Sequence, residues 1–490
     1  MFKNKLILFG LLLIFSGCGL NRAFYDPYSF APDHPYSSYK SVAKKEQISK
    51  TYDSFLPEDF KEKRLTLAEL IDVALLNNPQ TKKTWSDAMA AAASYGKSMK
   101  DYLPEIDGAM SWERTRSTFI NESIPDQIIS GAPLNKATPY YRSTATPEMI
   151  VSYTIFDFGQ RKYTTEKARQ ALLYADWMHN NEMQSIIELV MNSYYFYQYQ
   201  RHYFMALEED LNNAETSLDA AKQKFHTGVA SLADVTQAKT SYLQSKMNLI
   251  AQKQNVVSSY ATLTNILGLP SNLEIEVEDF PEEIFPQPFL ENVDELITKA
   301  KEKRQDFMAM QANIKAQTAN VNLAKKRYWP TINSEFDIGK NYFWPHPDED
   351  YHFTLLFKMS IPIFYGFSLK NAVRQAEAEL EKAKALSFQN ELQITKDVTI
   401  AHSDMRNAAD TVYYSKDYLL SAQEQYKIAL ANYKAGTGTI LDVMSAQASL
   451  ADARAKKVNS QKNWYSSIAS MAYATGSLSA TLDEKEKENL

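Results

Sequence analysis

One part of this chain repeats the plan of another, and that constrains its fold more than any composition figure. Leu67-Ala68-Glu69-Leu70-Ile71 aligns with Val293-Asp294-Glu295-Leu296-Ile297. Asn78-Pro79-Gln80 aligns with Arg304-Gln305-Asp306, and Tyr102-Leu103-Pro104 with Tyr328-Trp329-Pro330, all at an offset of 226 residues. Further on, Ile155-Phe156 aligns with Ile363-Phe364. Phe225, Gly228, Asp234, Val235 and Ala238 align with Tyr433, Gly436, Asp442, Val443 and Ala446, now at an offset of 208. The 18-residue difference falls between Pro104 and Phe156, so one loop is longer in the first copy and the rest keeps step. One structural plan is used twice.

Each copy has the same order of elements. A helix of about 35 residues comes first (about 67–101 and 293–327), stopped at Pro104 and Pro330 because proline and its preceding residue disfavour helix. Two strands follow, at about 105–116 and 146–156, then 331–343 and 351–361. Their signal is period-2 alternation: Ile106, Met110 and Trp112 against Glu105, Asp107, Ser111 and Glu113, and Phe353, Leu355, Phe357 and Met359 against His352, Thr354, Lys358 and Ser360. Turn-rich loops, 117–145 and from Trp344 onward, join the strands of each pair. Then the chain turns almost free of helix breakers. Between Gln160 and Leu269 there is no proline, and Gly228 and Gly268 are the only glycines. After Gly366 only Gly436, Gly438 and Gly476 remain. Each copy therefore carries a helix of roughly 60 residues, about 90 Å at 1.5 Å per residue, a glycine-marked turn, and a returning helix of roughly 35–40. Steps of three and four through Leu207, Leu211, Ala214, Leu218, Ala221 and Phe225, and through Leu419, Ala422, Tyr426, Ala429 and Tyr433, give coiled-coil packing. Glycine is scarce at 14 of 490, as long helices require.

The N-terminus reads as an export signal over residues 1–17. Lys3 and Lys5 precede an apolar run, Leu6 to Phe15, too short to span a bilayer. The run ends at Phe15-Ser16-Gly17-Cys18, which resembles the bacterial lipobox, although Phe15 stands where the pattern prefers leucine. By that resemblance Cys18 carries the lipid, and Gly19 after it favours sorting to the outer membrane. Cys18 is the only cysteine, which excludes an intrachain disulfide and a cysteine-based zinc cluster. Beyond residue 20 no stretch of about 18 apolar residues remains, so any membrane crossing is by strands. Four strands of ten to twelve residues have the length of transmembrane β-strands. They cannot close a barrel, and an open edge in lipid leaves backbone groups unpaired. Several chains must then share one barrel: two would give eight strands and three would give twelve.

The duplicated order, the Tyr-Leu-Pro and Tyr-Trp-Pro stops, Ile155-Phe156-Asp157-Phe158-Gly159 before a long helix, and the two Phe/Tyr-x-x-Gly…Asp-Val…Ala turns together resemble the TolC family of outer-membrane efflux channels. The resemblance spans about 65–478. It implies a mainly α chain with a transmembrane β part, in which a duplicated helix–strand–strand–long-hairpin repeat forms a trimeric 12-stranded β-barrel continuous with an α-helical barrel. It divides the chain into a lipidated extended arm (18–64), a first repeat (65–270), a linker (271–292), a second repeat (293–478) and a charged tail (479–490). It implies a homotrimer in outer-membrane lipid, working with a periplasmic adaptor and an inner-membrane RND or ABC pump, and exporting small molecules without catalysing anything.

By the same resemblance Gly228, Val229, Gly436 and Thr437, at the two hairpin turns, are adaptor contacts. Asp234, Tyr433 and Asp442 form a periplasmic gate: threefold copies of each aspartate ring a narrow mouth and attract cations. Each aspartate also sits where a helix N-terminus favours a carboxylate. Gly438 stands where the family's closing network has an arginine, and Ser445 where it has a second aspartate. Closure is therefore expected to rest on Tyr433 packing and one aspartate ring per copy. The charge balance, 53 basic against 59 acidic residues, calls for no nucleic-acid partner. Seven scattered histidines form no HExxH spacing, and there is no phosphate loop, G-x-S-x-G or GxGxxG, so no cofactor or enzyme activity is expected. The rival reading is a periplasmic coiled-coil interaction lipoprotein, adaptor-like, which accounts for the heptads and the anchor but not for two strand pairs.

Overall fold

The computed structural model describes residues 26–32, 63–120, 137–279, 292–344 and 349–478. The signal segment, Cys18, nearly all of the arm, most of the linker and the charged tail lie outside the described residues. The order is α1 (Leu67–Asn77), α2 (Pro79–Ser98), β1 (Glu105–Ile120), β2 (Ala137–Phe156), α3 (Gln160–His226), α4 (Leu232–Ile266), α5 (Val293–Lys303), α6 (Gln305–Lys326), β3 (Thr331–Trp344), β4 (Glu349–Ser360), α7 (Ser368–Ala435) and α8 (Ile440–Ala474). The long helices run 67 and 68 residues and their returning partners 35 each. The chain divides into two compact units: the strands with adjoining helix segments (90–172 and 312–384), and the remaining helices, including both hairpin turns.

In the first unit the four strands form one antiparallel sheet in the order β1-β2-β3-β4. The alternation sorts its two faces. One continuous apolar row crosses all four strands, Ile106↔Val151↔Phe336↔Leu355, and a second joins Met149, Ile338 and Phe353. Much of this apolar side is bare: Met110 is 78% exposed, Tyr351 and Phe353 75% each. The opposite face carries Glu105, Asp107, Glu113, Glu148, Glu335 and Asp337. There Glu148 and His352 approach to 3.7 Å across Gly339, where an added Cβ would stand 2.6 Å from His352 Cε1. The turn from β2 into α3 is pinned by Arg161, which donates to the carbonyls of Thr154 and Asp101 at 2.9 and 3.0 Å, while Asp157 accepts from the Gly159 N–H. Both copies need two consecutive left-handed residues here. The first has Phe158 and Gly159 (φ 51° and 94°); the second has Gly366 and Phe367 (55° and 63°). The two copies place their single glycine at opposite members of the same pair.

In the second unit the expected 35-residue leading helices are each broken. The first break follows from Pro79, which holds Asn78 extended (ψ 125°). The second copy has no proline, yet Arg304 is equally extended (ψ 126°). Tertiary contacts hold it: the buried Arg304 guanidinium donates to Asp306 at 2.8 Å and Asp397 at 3.1 Å and faces the Tyr473 ring. A glycine of the returning helix's C-terminal turn sits against each break. A Cβ on Gly268 (φ +72°) would lie 2.7 Å from the Asn77 carbonyl group, and one on Gly476 (φ +68°) 3.0 Å from the Arg304 nitrogen. Gly268→Ala is expected to destabilise this unit by about 2–4 kcal/mol, combining the left-handed penalty with overpacking. Gly476→Ala should cost visibly less, and thermal unfolding of the two variants side by side checks the order. Leu70, Leu75, Val190, Leu263 and Leu267 pack the core beside the first break.

Candidate functional site

Each hairpin turn is a helix end closed by glycine. Gly228 and Gly436 take φ of +76° and +88°, which only glycine adopts without strain. The following N–H groups reach back: Val229 to the Lys224 carbonyl at 2.9 Å, and Thr437 to that of Asn432 at 3.0 Å. All four adaptor-contact candidates lie at these turns, and Val229 projects into solvent.

The next helix then starts in each copy with a capping box. Asp234 and Asp442 are the third residues of α4 and α8, and their carboxylates serve the N-caps. Asp442 accepts from the Thr439 N–H and hydroxyl at 2.9 and 2.7 Å, and these donors hold its carboxyl below the usual carboxylate range. Asp234 accepts from the Ser231 hydroxyl at 2.9 Å. The two aspartates thus have a local structural role whatever their role in a mouth.

Tyr433 is not on the surface. It is 3% exposed, packed among Leu218, Ala221, Ala238 and Val443 from both hairpins of the same chain. Lys224 Nζ lies 4.5 Å from its ring centroid. Burial pushes the phenol's pKa up, and the Asp234 charge adds to that, so the structure brings Tyr433, Lys224 and Asp234 into one electrostatic neighbourhood. Gly438 is tight as well: a Cβ there would meet Asn432 and the Tyr433 nitrogen at 3.2–3.3 Å.

An arginine does link the two hairpins, at a place the motifs do not mark. Arg454 on α8 pairs with Asp210 and, at 2.7 Å, with Glu209 on α3. Asp210 is 4% exposed, and burial pushes its carboxyl up while Arg454 restores only part. Tyr426 adds a hydrogen bond to the Asn213 carbonyl at 3.0 Å. The sole hint in the sequence is that Asp210 lies 18 residues before Gly228 and Arg454 18 after Gly436. Along the second hairpin lies an open groove of about 840 Å³ lined by Leu420, Glu424, Ile428, Thr437, Asp442 and Ser445, among others. Among the described residues no cluster of three or more His, Cys, Asp or Glu side chains could hold a metal ion.

A family model described as Outer membrane efflux protein matches residues 70–269 and 296–477. The chain belongs to the outer membrane efflux protein family. The first matched segment runs from α1 to just past α4 and the second from α5 to just past α8. The probable efflux pump outer membrane protein TtgC of Pseudomonas putida is 23% identical over 418 residues, 82% of each chain. The outer membrane protein TolC of Vibrio cholerae is 22% identical, covering 84% of this chain and 91% of that one. In fold, the outer-membrane channel OprN superposes with a TM-score of 0.74 at 17% identity, covering 91% of this chain and 97% of that one. The CmeC outer membrane channel of Campylobacter jejuni gives 0.73 at 18%, covering 94% and 96%. The family is one of outer-membrane transport proteins, and the match favours that reading over the adaptor-like one.

Proposed function

We propose that this chain is the outer-membrane channel of a tripartite efflux or type I secretion system, a conduit for small molecules from periplasm to exterior. The observation that carries it is the bare apolar face of a four-stranded sheet in a member of the outer-membrane efflux family. A sheet with that face in water would be an aggregation surface, whereas lipid covers it. Three copies supply twelve strands, which removes every open edge. The long hairpins supply a helical conduit, and the turns at Gly228-Val229 and Gly436-Thr437 meet a periplasmic adaptor that couples an inner-membrane RND or ABC pump. Cys18 carries the lipid anchor. Relatives are named for the efflux of antibiotics and toluene, and CyaE of Bordetella pertussis is a further one. Small apolar or amphipathic molecules are the substrate class these names favour.

At the mouth, three copies of Asp442 and of Asp234 place carboxylate rings around the opening. The donors that lower the Asp442 carboxyl keep it ionised at neutral and mildly acidic pH. Purified protein in a planar bilayer should show discrete cation-selective openings, blocked by divalent cations. Asp442→Ala should weaken that block at least several-fold, and in the parent the block should fade only as pH falls towards the acidic end. Folded trimers that never conduct, with or without adaptor, would overturn the channel reading. A block untouched by Asp442→Ala would remove Asp442 from the gate.

A further inference from the structure

Two lines of exposed charge, opposite in sign and equal in spacing, run along the hairpins. On α4, Lys239, Lys246 and Lys253 recur every seven residues; on α7, Asp410, Asp417 and Glu424 do the same. Among the described residues none of the six makes an ion pair. Seven residues is close to two helical turns, so each line occupies one face. Each is flanked by bare apolar side chains: Leu243, Met247 and Ile250 on α4, and Tyr413, Leu420 and Ile428 on α7. On α7 the buried Ala422 and Tyr426 lie roughly opposite the acidic line, and on α4 the buried Ala238 and Gln252 lie about 100° round the helix from the lysines, towards the chain's own packing.

The register of the two lines can be counted from the turns. Within the chain, residues equally far from Gly228 and Gly436, to within one position, meet: Lys224 and Tyr433 stand four and three residues before them, and Asp210 and Arg454 stand 18 away. The two turns are therefore level. A second copy related by rotation about an axis along the hairpins keeps that level. Lys239, Lys246 and Lys253 stand 11, 18 and 25 residues after Gly228; Glu424, Asp417 and Asp410 stand 12, 19 and 26 before Gly436. Leu243 and Leu420 stand 15 and 16 away, Ile250 and Tyr413 22 and 23. Because α4 leaves its turn and α7 enters its own, the two helices run antiparallel and every pair matches.

We propose that α4 of one copy docks on α7 of a second copy, at the rim of the groove lined by Leu420, Glu424 and Ile428, with Lys239–Glu424, Lys246–Asp417 and Lys253–Asp410 setting the register. The contact is head-to-tail, so it propagates around a ring and closes it. Apolar pairs supply most of the attraction; exposed ion pairs add little energy but penalise a slipped register. This proposal rests on the trimeric reading above and names its interface.

The test is disulfide trapping in the full-length detergent-purified protein, with mass measured in parallel. Lys246→Cys with Asp417→Cys, under a mild oxidant, should give a ladder of covalent dimer and trimer. Lys246→Cys with Asp410→Cys, one heptad or roughly 10 Å out of register, should give at least tenfold less. Unsubstituted protein controls for Cys18. Lys246→Glu should speed subunit dissociation several-fold, and adding Asp417→Lys should restore it. A trimeric mass with no ladder, with equal ladders from both pairs, or with a link inside one chain overturns this docking and leaves the trimer standing. A monomeric mass overturns the trimer and the docking together.

Discussion

Arg454→Met will leave Asp210 buried without its counter-charge, and local opening of the α3–α8 contact will rise about a hundred- to thousand-fold. Breaking a buried pair by removing one partner costs about 3–5 kcal/mol, because the remaining charge keeps its desolvation penalty. Amide exchange around residues 206–221 and 446–460 reads this directly. The deficit will depend on pH. Burial already raises the Asp210 carboxyl, and without Arg454 it rises further, so the folded variant takes up a proton that the unfolded chain releases near pH 4. The loss is small at pH 4 and grows as pH increases towards the folded value. Arg454→Met with Asp210→Leu should recover most of it, since two apolar groups leave no orphaned charge. A double variant as loose as the single one would mean that Arg454 acts through its contact with Glu209 instead.

Asp176→Asn will stabilise the protein above neutrality and do nothing below pH 4. One carboxylate oxygen of Asp176 is buried without a partner, and desolvation pushes its pKa to about 7. An acid with a raised folded pKa carries no penalty below its unfolded value. The penalty grows between about 4 and 7 and is constant above that. A shift of this size in an enclosed site would amount to roughly 4 kcal/mol. Asp176 keeps partial solvent contact, so about 2 kcal/mol is expected at pH 8. Thermal midpoints of parent and variant from pH 4 to 8 should diverge over that window and nowhere else. Parallel curves would place the acid's titration outside it.

The duplicated plan could be read from the sequence because its markers are local: Pro104 and Pro330 act on their own neighbours, and alternation over ten residues reports a sheet face directly. What could not be read depends on residues far apart. Nothing near Arg304 announces a helix break; Asp397, 93 residues on, and the close approach of Gly476 enforce it. Arg454 and Asp210 are 244 residues apart and belong to no motif. The Phe158–Gly159 and Gly366–Phe367 turns differ in residue order yet share a backbone, so alignment by identity misses their equivalence. Asp234 and Asp442 illustrate a different difficulty. Ser231-x-x-Asp234 and Thr439-x-x-Asp442 are legible capping boxes, and the same carboxylates are the mouth candidates. A residue with a local task gives no separate signal for a second one.

The sheet of the first unit pairs β1 and β4 on one side each. If its apolar face lies in lipid, a lone chain would bring two rows of unpaired amides and carbonyls into hydrocarbon, at several kcal/mol per group. Insertion then cannot precede assembly, and biogenesis becomes a single concerted event whose rate rises steeply with chain concentration. The reverse also holds. A copy could leave an inserted ring only by re-exposing both edges, so subunits of old and new synthesis would stay segregated in separate rings for the lifetime of the envelope.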